Sequence, residues 1–221
     1  MEGFVVADDW IGLLSPPVRR AVSAEMVIRS IPAGATLVRA GSLAEHVFRV
    51  RSGFLKQTGL QEGGECTLVT IYGPAACFAE TAVVVDAPLN HTTVALTPAV
   101  VECLPTPAFW TLYRAHGEIP DALCRKFAHA VRRSVMIRET TASVRLNTRL
   151  ELLFAGLAQK LGVIQPNGVQ RVDIPFTQLD LSAHLGVTRQ SIQRELAGLK
   201  LDGSVARAPR GWLVDLSRIA L

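Results

Sequence analysis

The residues with the clearest chemistry sit close together in FTQLDLSAHLGVTRQSIQRELAGLKLDG, residues 176–203. Arg189, Gln190, Gln193 and Arg194 fall within one turn and a half of helix. Guanidinium and primary amide groups are the side chains that make bidentate hydrogen bonds to guanine and adenine edges in a major groove. Thr177, Thr188 and Ser191 are short hydroxyls near helix starts, where they and the backbone N–H groups suit phosphate oxygens. A merely solvated helix face more often carries Lys and Glu, so this one reads as a nucleic-acid contact.

That chemistry works only if two helices are held at a fixed angle. Leu179, Leu181 and Leu185 give a first short helix its apolar side, and Gly186 permits a tight turn. Thr188 caps a second helix, on which Ile192, Leu196 and Leu199 form the buried stripe. Helix, glycine turn and second helix make a helix–turn–helix. After Asp202-Gly203, the segment SVARAPRGWLVDL reads as two strands around Ala208-Pro209-Arg210-Gly211. It is a wing with Arg207 and Arg210 near its tip, facing the DNA backbone.

Charge supports this placement. The 221 residues are 49% hydrophobic and 19% charged, which reads as globular and suffices for one large or two small domains. A net charge of +4 is modest, so its distribution decides more than its size. Residues 1–139 hold 13 basic and 13 acidic side chains, whereas residues 140–221 hold 10 and 6. No apolar run approaches the ~18–20 residues of a membrane helix, so no membrane partner is expected. MEGFVVADDWIGLLSPP is acidic where a secretory signal is basic, and a cytoplasmic location is expected. Cys66, Cys77, Cys103 and Cys124 stand singly, without zinc spacing, and are expected to be reduced. With no G-x-S-x-G, P-loop, H-E-x-x-H or G-x-G-x-x-G in the sequence, no catalytic residue and no metal site are assigned, and an enzyme is not expected.

Upstream, Ser15-Pro16-Pro17 opens a helix expected to run through about Ile28. Short β-rich runs then follow at Thr36–Arg39, Val47–Arg51, Leu55–Thr58, Thr67–Tyr72, Thr92–Ala95 and Val100–Leu104, punctuated by Gly34, Gly41, Gly53, Gly63-Gly64 and Gly73. Many short strands with glycine turns predict an antiparallel barrel or roll. A short helix is expected over Pro107–His116 and a long one over Ile119–Ser143. About 25 residues at ~1.5 Å each give the latter ~37 Å. On it Leu123, Phe127, Ala130, Ser134 and Ile137 alternate as heptad a and d positions, a small-residue seam suited to a two-stranded coiled coil. Thr148-Arg149-Leu150-Glu151 reads as a capping box starting the next helix, which stops at Gly162. Gln165-Pro166-Asn167-Gly168 is a turn, and Val169–Ile174 a strand.

In this order of parts the chain resembles the cyclic-AMP receptor protein / fumarate-and-nitrate-reductase regulator family of bacterial transcription factors. IPAGATLVRAGSLAEHVFRVRSGFLK, residues 31–56, resembles the family's first strands. In the recognition helix Arg189, Ser191, Ile192 and Arg194 match its pattern, while Gln190 stands where glutamate is usual. The resemblance implies an α+β fold: an N-terminal antiparallel β-roll (cyclic-nucleotide-binding-like jelly roll) over 1–118, a dimerisation helix over 119–146 and a C-terminal winged helix–turn–helix over 147–221. It implies a homodimeric, sequence-specific regulator whose partner is double-stranded DNA, with RNA polymerase as a further partner if it activates. Arg194 is then expected on a guanine. Gln190, which donates as well as accepts, implies an altered half-site preference.

The family's nucleotide cassette has Gly-Glu after a phenylalanine, then Arg-Ser-Ala or Arg-Thr-Ala. Phe78-Ala79-Glu80 keeps the glutamate, but Asn90-His91-Thr92 stands where the arginine triplet would be. A buried cyclic phosphate would lack its cation. Ser134-Val135 keeps only half of the hydroxyl pair that contacts adenine in the family. The expected effector is therefore a small molecule other than cyclic AMP, in a pocket between roll and long helix lined by Phe78, Glu80, Asn90, His91, His129 and Ser134. Other readings stay open: a haem- or redox-based sensor of the same fold, with Cys77, His91, His46, His116 or His129 as a ligand; no effector at all; or a ligand-binding regulatory subunit acting on a protein partner.

Overall fold

The computed structural model describes residues 3–60 and 66–219; Gly63-Gly64 lies outside the described residues. In chain order the elements are β1 (Val5–Val6), α1 (Pro16–Ala24), β2 (Val27–Ile31), β3 (Thr36–Val38), β4 (His46–Ser52), β5 (Leu55–Leu60), β6 (Cys66–Tyr72), β7 (Cys77–Phe78), α2 (Glu80–Val84), β8 (Thr92–Ala95), β9 (Ala99–Pro105), α3 (Thr106–Ala115) and α4 (Glu118–Ser143). They continue with α5 (Leu146–Leu161), β10 (Val163–Ile164), β11 (Gln170–Val172), α6 (Gln178–Leu185), α7 (Arg189–Leu201), β12 (Val205–Ala208) and β13 (Gly211–Val214). The chain divides into two compact units, Val6–Arg133 and Met1–Val5 joined with Ser134–Leu221. The division falls inside α4, between Arg133 and Ser134.

The first unit is a roll of two sheets, ordered β1-β6-β5-β8-β3 and β2-β9-β4-β7. Strand alternation puts Phe48, Val50, Leu55, Phe78, Ala95 and Val101 between the sheets. A second core forms where α1, α3 and the first turns of α4 cover the roll, around Trp10, Val22, Leu104, Phe109, Ile119 and Leu123. The turn at Gly53 has φ +79°, and a Cβ there would overlap the Pro98 carbonyl, so only glycine fits.

Three expectations change here. The first helix stops at Ala24, because Val27 and Ile28 pair instead with Cys103 and Glu102 of β9. The helix expected to be capped by Thr148 starts earlier, at Leu146, so Thr148 lies in its first turn. Leu123, expected on a seam between two copies, is 2% exposed and Phe127 is half-buried, both against their own unit's core. The first turns of α4 spend that stripe on the roll. The apolar residues left exposed lie elsewhere around the helix, among them Val131, Val135 and Met136.

In the second unit α5, α6 and α7 pack with the antiparallel sheet β10-β11-β13-β12. Its centre is Phe154, Phe176 and Trp212, with Leu181, Ile192 and Leu199 buried from the two short helices. Among the described residues no helix is long and apolar enough to cross a membrane.

Non-glycine residues with positive φ cluster in one place, at Ala75 (70°), Ala79 (76°) and Asp86 (50°), around β7 and α2. Each such residue costs roughly 1–2 kcal/mol, partly offset by glycine's own entropy cost of about 0.5–1 kcal/mol when glycine replaces it. Ala79→Gly is therefore expected to hold or raise the thermal midpoint, by up to about 4 °C. Ala122→Gly, inside α4, is expected to lower it. Equal losses in the two variants, measured by calorimetry, would remove the strain argument.

Candidate functional site

Two caps fix the helix–turn–helix. Thr177 Oγ1 accepts from Asp180 N at 3.2 Å, and Thr177 N donates to Asp180 Oδ2 at 2.8 Å, a reciprocal capping box at the start of α6. Gly186 ends α6 at φ 66°. Thr188 then caps α7, accepting from Ser191 N at 3.1 Å, with the two hydroxyl oxygens 2.9 Å apart. Thr177, Thr188 and Ser191, expected to contact phosphate, thus first hold the helix starts. The T-x-x-D spacing at Thr177 would have revealed the first cap from sequence.

The caps aim the rest of α7. Ile192, Leu196 and Leu199 are buried, while Arg189, Gln190, Gln193 and Arg194 are all exposed. The Arg194 side chain is 76% exposed, and Nε reaches Glu195 Oε1 at 3.2 Å. Beside this face lies a groove of about 670 Å³ lined by Thr177, Gln178, Leu179, Arg189, Gln193, Lys200 and Arg207, with Leu196 and Trp212 also on its wall. Among the described residues its lining includes three cationic side chains and no carboxylate. Gln178, Leu179 and Lys200 were not expected there. Lys200 continues the stripe Arg189–Gln193–Ala197 at helical spacing, a signal present in the sequence.

The wing differs in detail from expectation. Arg210 lies in the exposed turn between β12 and β13, but Arg207 is on β12, opposite Trp212. Its guanidinium lies 4.6 Å from the centre of the Trp212 ring, and Nη1 donates to Phe176 O at 2.7 Å. Arg207 therefore sits in the groove rather than at the tip. Arg149, on α5, is buried and donates from Nη2 to Leu185 O at 2.7 Å. It thereby caps the C-terminal end of α6. Burial and the Arg149 charge push His184 down to about 4, so its imidazole is neutral at neutral pH.

In the roll unit the cassette glutamate is already satisfied. Glu80 is 2% exposed, and its Oε1 accepts from Trp10 Nε1 at 2.8 Å and Lys126 Nζ at 2.7 Å. Lys126, on α4, also donates to the Cys77 carbonyl. Glu80 was expected to face an effector; the structure commits it to its own chain, because a carboxylate this buried needs charged or polar donors. Phe78 is buried in a stack with Phe48 and Tyr72, at centroid distances of 5.0 and 4.5 Å. His91 is half-buried, with burial pushing its pKa down, whereas Asn90 and His129 are exposed. Ser134 belongs to the other unit. Cys77 is 1% exposed, and burial pushes its thiol well up, which disfavours a thiolate. Thr93, 0% exposed, keeps an unpartnered hydroxyl.

Comparison with known proteins gives two family matches. Residues 28–116 match the family described as cyclic nucleotide-binding domain, and residues 148–220 match the Crp-like helix-turn-helix domain. A CRP-like cAMP-activated global transcriptional regulator from Mycobacterium tuberculosis is 23% identical over 200 residues, covering 90% of this chain and 85% of that protein. Among solved structures, FixK2 from Bradyrhizobium japonicum superposes with a TM-score of 0.72 at 16% identity, over 88% of this chain and 95% of that one. A CRP/FNR-family transcriptional regulator from Thermus thermophilus gives 0.65 at 20% identity, over 87% and 96%. With a nucleotide-binding-type roll, a long helix and a Crp-like helix–turn–helix in that order, the chain belongs to the CRP/FNR family, whose members are DNA-binding transcription regulators rather than enzymes.

Proposed function

We propose that the protein is a cytoplasmic homodimer that reads a pseudo-palindromic operator and answers to an effector other than cyclic AMP. The observation that carries the DNA reading is the exposed quartet Arg189, Gln190, Gln193 and Arg194 beside a cationic groove with no carboxylate in its lining. Arg194 and Gln190 would meet base edges. Arg189, Lys200 and Arg207 in the groove, with Arg210 at the wing tip, would meet phosphates. Two copies would place recognition helices about one turn of DNA, ~34 Å, apart. RNA polymerase would be the further partner of an activator. A regulatory subunit acting on a protein would have no use for this cationic face.

The seam between copies would run along the exposed stripe Cys124, Ala128, Val131 and Val135, whose 4-3-4 spacing is that of a heptad. It lies one position round from the expected residues Leu123, Phe127, Ala130 and Ser134, the first two of which serve the roll.

Lys126 supports the exclusion of cyclic AMP. An internal ammonium holds Glu80, and Asn90-His91-Thr92 supplies no arginine for a phosphate. A haem reading finds little support in Cys77, whose thiol is buried and kept protonated.

Titration calorimetry with cyclic AMP on the full chain is expected to give no binding heat; micromolar binding would refute the exclusion. In a Cys124→Ser background, Val131→Cys is expected to form a disulfide-linked dimer on mild oxidation and Ala130→Cys is not. The reverse result puts the seam on the other register. For DNA, selection from random duplexes followed by anisotropy titration is expected to return a half-site that departs from the common family one at the position Gln190 reads. Arg194→Ala should then cost ~1–3 kcal/mol and relax the preference, while Lys200→Ala weakens all duplexes alike and lowers the salt slope by about 1. No salt-dependent duplex binding at all would sink the reading.

A further inference from the structure

The aromatic core beneath the helix–turn–helix contains a residue from the opposite end of the sequence. Phe4 is 2% exposed, and its ring meets Phe176 edge-on at 4.7 Å and His184 at 4.9 Å. These two partners lie at the two ends of α6. Phe176 immediately precedes the Thr177 cap, and His184 lies in the last turn before Gly186. Phe176 in turn stacks on Trp212 at 5.2 Å, and its carbonyl accepts from Arg207. One side chain therefore touches the entry and exit of the helix that aims α7, and backs the ring pair that carries a groove cation.

The contact is well made on both sides. His184 is half-buried and its pKa is pushed down to about 4, so at neutral pH Phe4 meets an uncharged imidazole. Edge-to-face rings at these distances add to the area they bury. Of the leucines in residues 176–188, Leu181 and Leu185 are already buried elsewhere in this core, and Leu179 is exposed on the groove wall.

We propose that Phe4 is a positioning residue of the DNA-binding unit, an N-terminal plug that fixes the orientation of α6 and through it the recognition helix. It touches no base or phosphate; it acts through Phe176, His184 and Trp212. For its affinity readout the proposal rests on the DNA-binding reading above. The residues that follow are held within the roll unit, where Asp8 pairs with Arg133 at 2.6 Å and Trp10 donates to Glu80. Loss of the plug therefore leaves the roll intact.

The test compares wild-type full chain with Phe4→Ala and Phe4→Leu by hydrogen–deuterium exchange and by titration of the selected duplex. In Phe4→Ala, amides of residues 176–188 are expected to exchange faster while those of residues 46–58 do not change. Duplex affinity falls about tenfold. Phe4→Leu, which restores apolar volume without the ring edge, recovers part of both, whereas a residue that only added global stability would speed exchange in both segments alike. Unchanged exchange over 176–188 in Phe4→Ala overturns the plug whatever the affinity does. So does a uniform rise across both segments. If the wild type binds no duplex, the DNA reading has failed and the exchange result alone decides the plug.

Discussion

A carboxylate with 2% of its surface exposed must be given donors, and Glu80 takes both from its own chain. Burying an ionised carboxylate alone would cost several kcal/mol, and an opposite charge repays this only with good geometry and its remaining lone pairs satisfied. Lys126 Nζ at 2.7 Å brings the opposite charge and Trp10 Nε1 at 2.8 Å a second donor, both to Oε1. The consequence extends along three segments. The turn that carries Trp10, the short helix that opens with Glu80 and the long helix that carries Lys126 are tied to one atom. Arg133 to Asp8 and Arg49 to Asp9 repeat the arrangement nearby, so the segment before α1 is held to the roll by ions rather than by apolar area alone.

The DNA-binding unit is organised by a different economy, in which short polar side chains build the backbone geometry and long ones are left for the ligand. Thr177, Asp180 and Thr188 accept from orphan N–H groups at two helix starts, Ser191 N among them, and Arg149 serves the carbonyl end of α6. Arg189, Gln190, Gln193 and Arg194 are exposed, and among the described residues Arg194 meets Glu195. Arg207 is intermediate, with one N–H given to Phe176 O and the rest of its fork turned to the groove. A hydroxyl that accepts a backbone N–H in a cap still has its own O–H to donate, so the cap and a phosphate contact are compatible roles for Thr188.

How much of this could be read in the sequence depends on the range of the interaction responsible. The helix–turn–helix was legible because its signals are local: leucines at helical spacing, the turn glycine Gly186 and the Thr188 cap lie within 28 residues. The roll's strands were legible from β-rich runs between glycines, but β2 was not. Val27 and Ile28 are both exposed and show no alternation, and only their ladder with β9, some seventy residues on, makes them a strand. The long helix was placed well and its faces were not. Heptad counting finds two adjacent apolar stripes on α4, and which one turns inward is decided by Trp10 and Phe109, residues that no window around Leu123 contains. Lys126 and Phe4 escaped for the same reason. A lysine on a charged helix and a phenylalanine near the N-terminus have no distinguishing neighbours in sequence.

The strained backbone around α2 follows from the same buried ion pair. Ala79, at φ 76°, is the residue before Glu80, and the left-handed step turns the chain from β7 into α2. Phe78 on one side of that step points into the aromatic stack between the sheets, and Glu80 on the other points toward Trp10 and Lys126. An extended residue at position 79 would send Phe78 and Glu80 along a continuing strand, and one of them would lose its partners. Leaving Glu80 buried without Lys126 would cost about 3–5 kcal/mol, more than the roughly 1–2 kcal/mol of a left-handed alanine, so the strain is the smaller of the two penalties. Glycine would avoid even that. With alanine there, the stack and the ion pair hold the geometry from both sides.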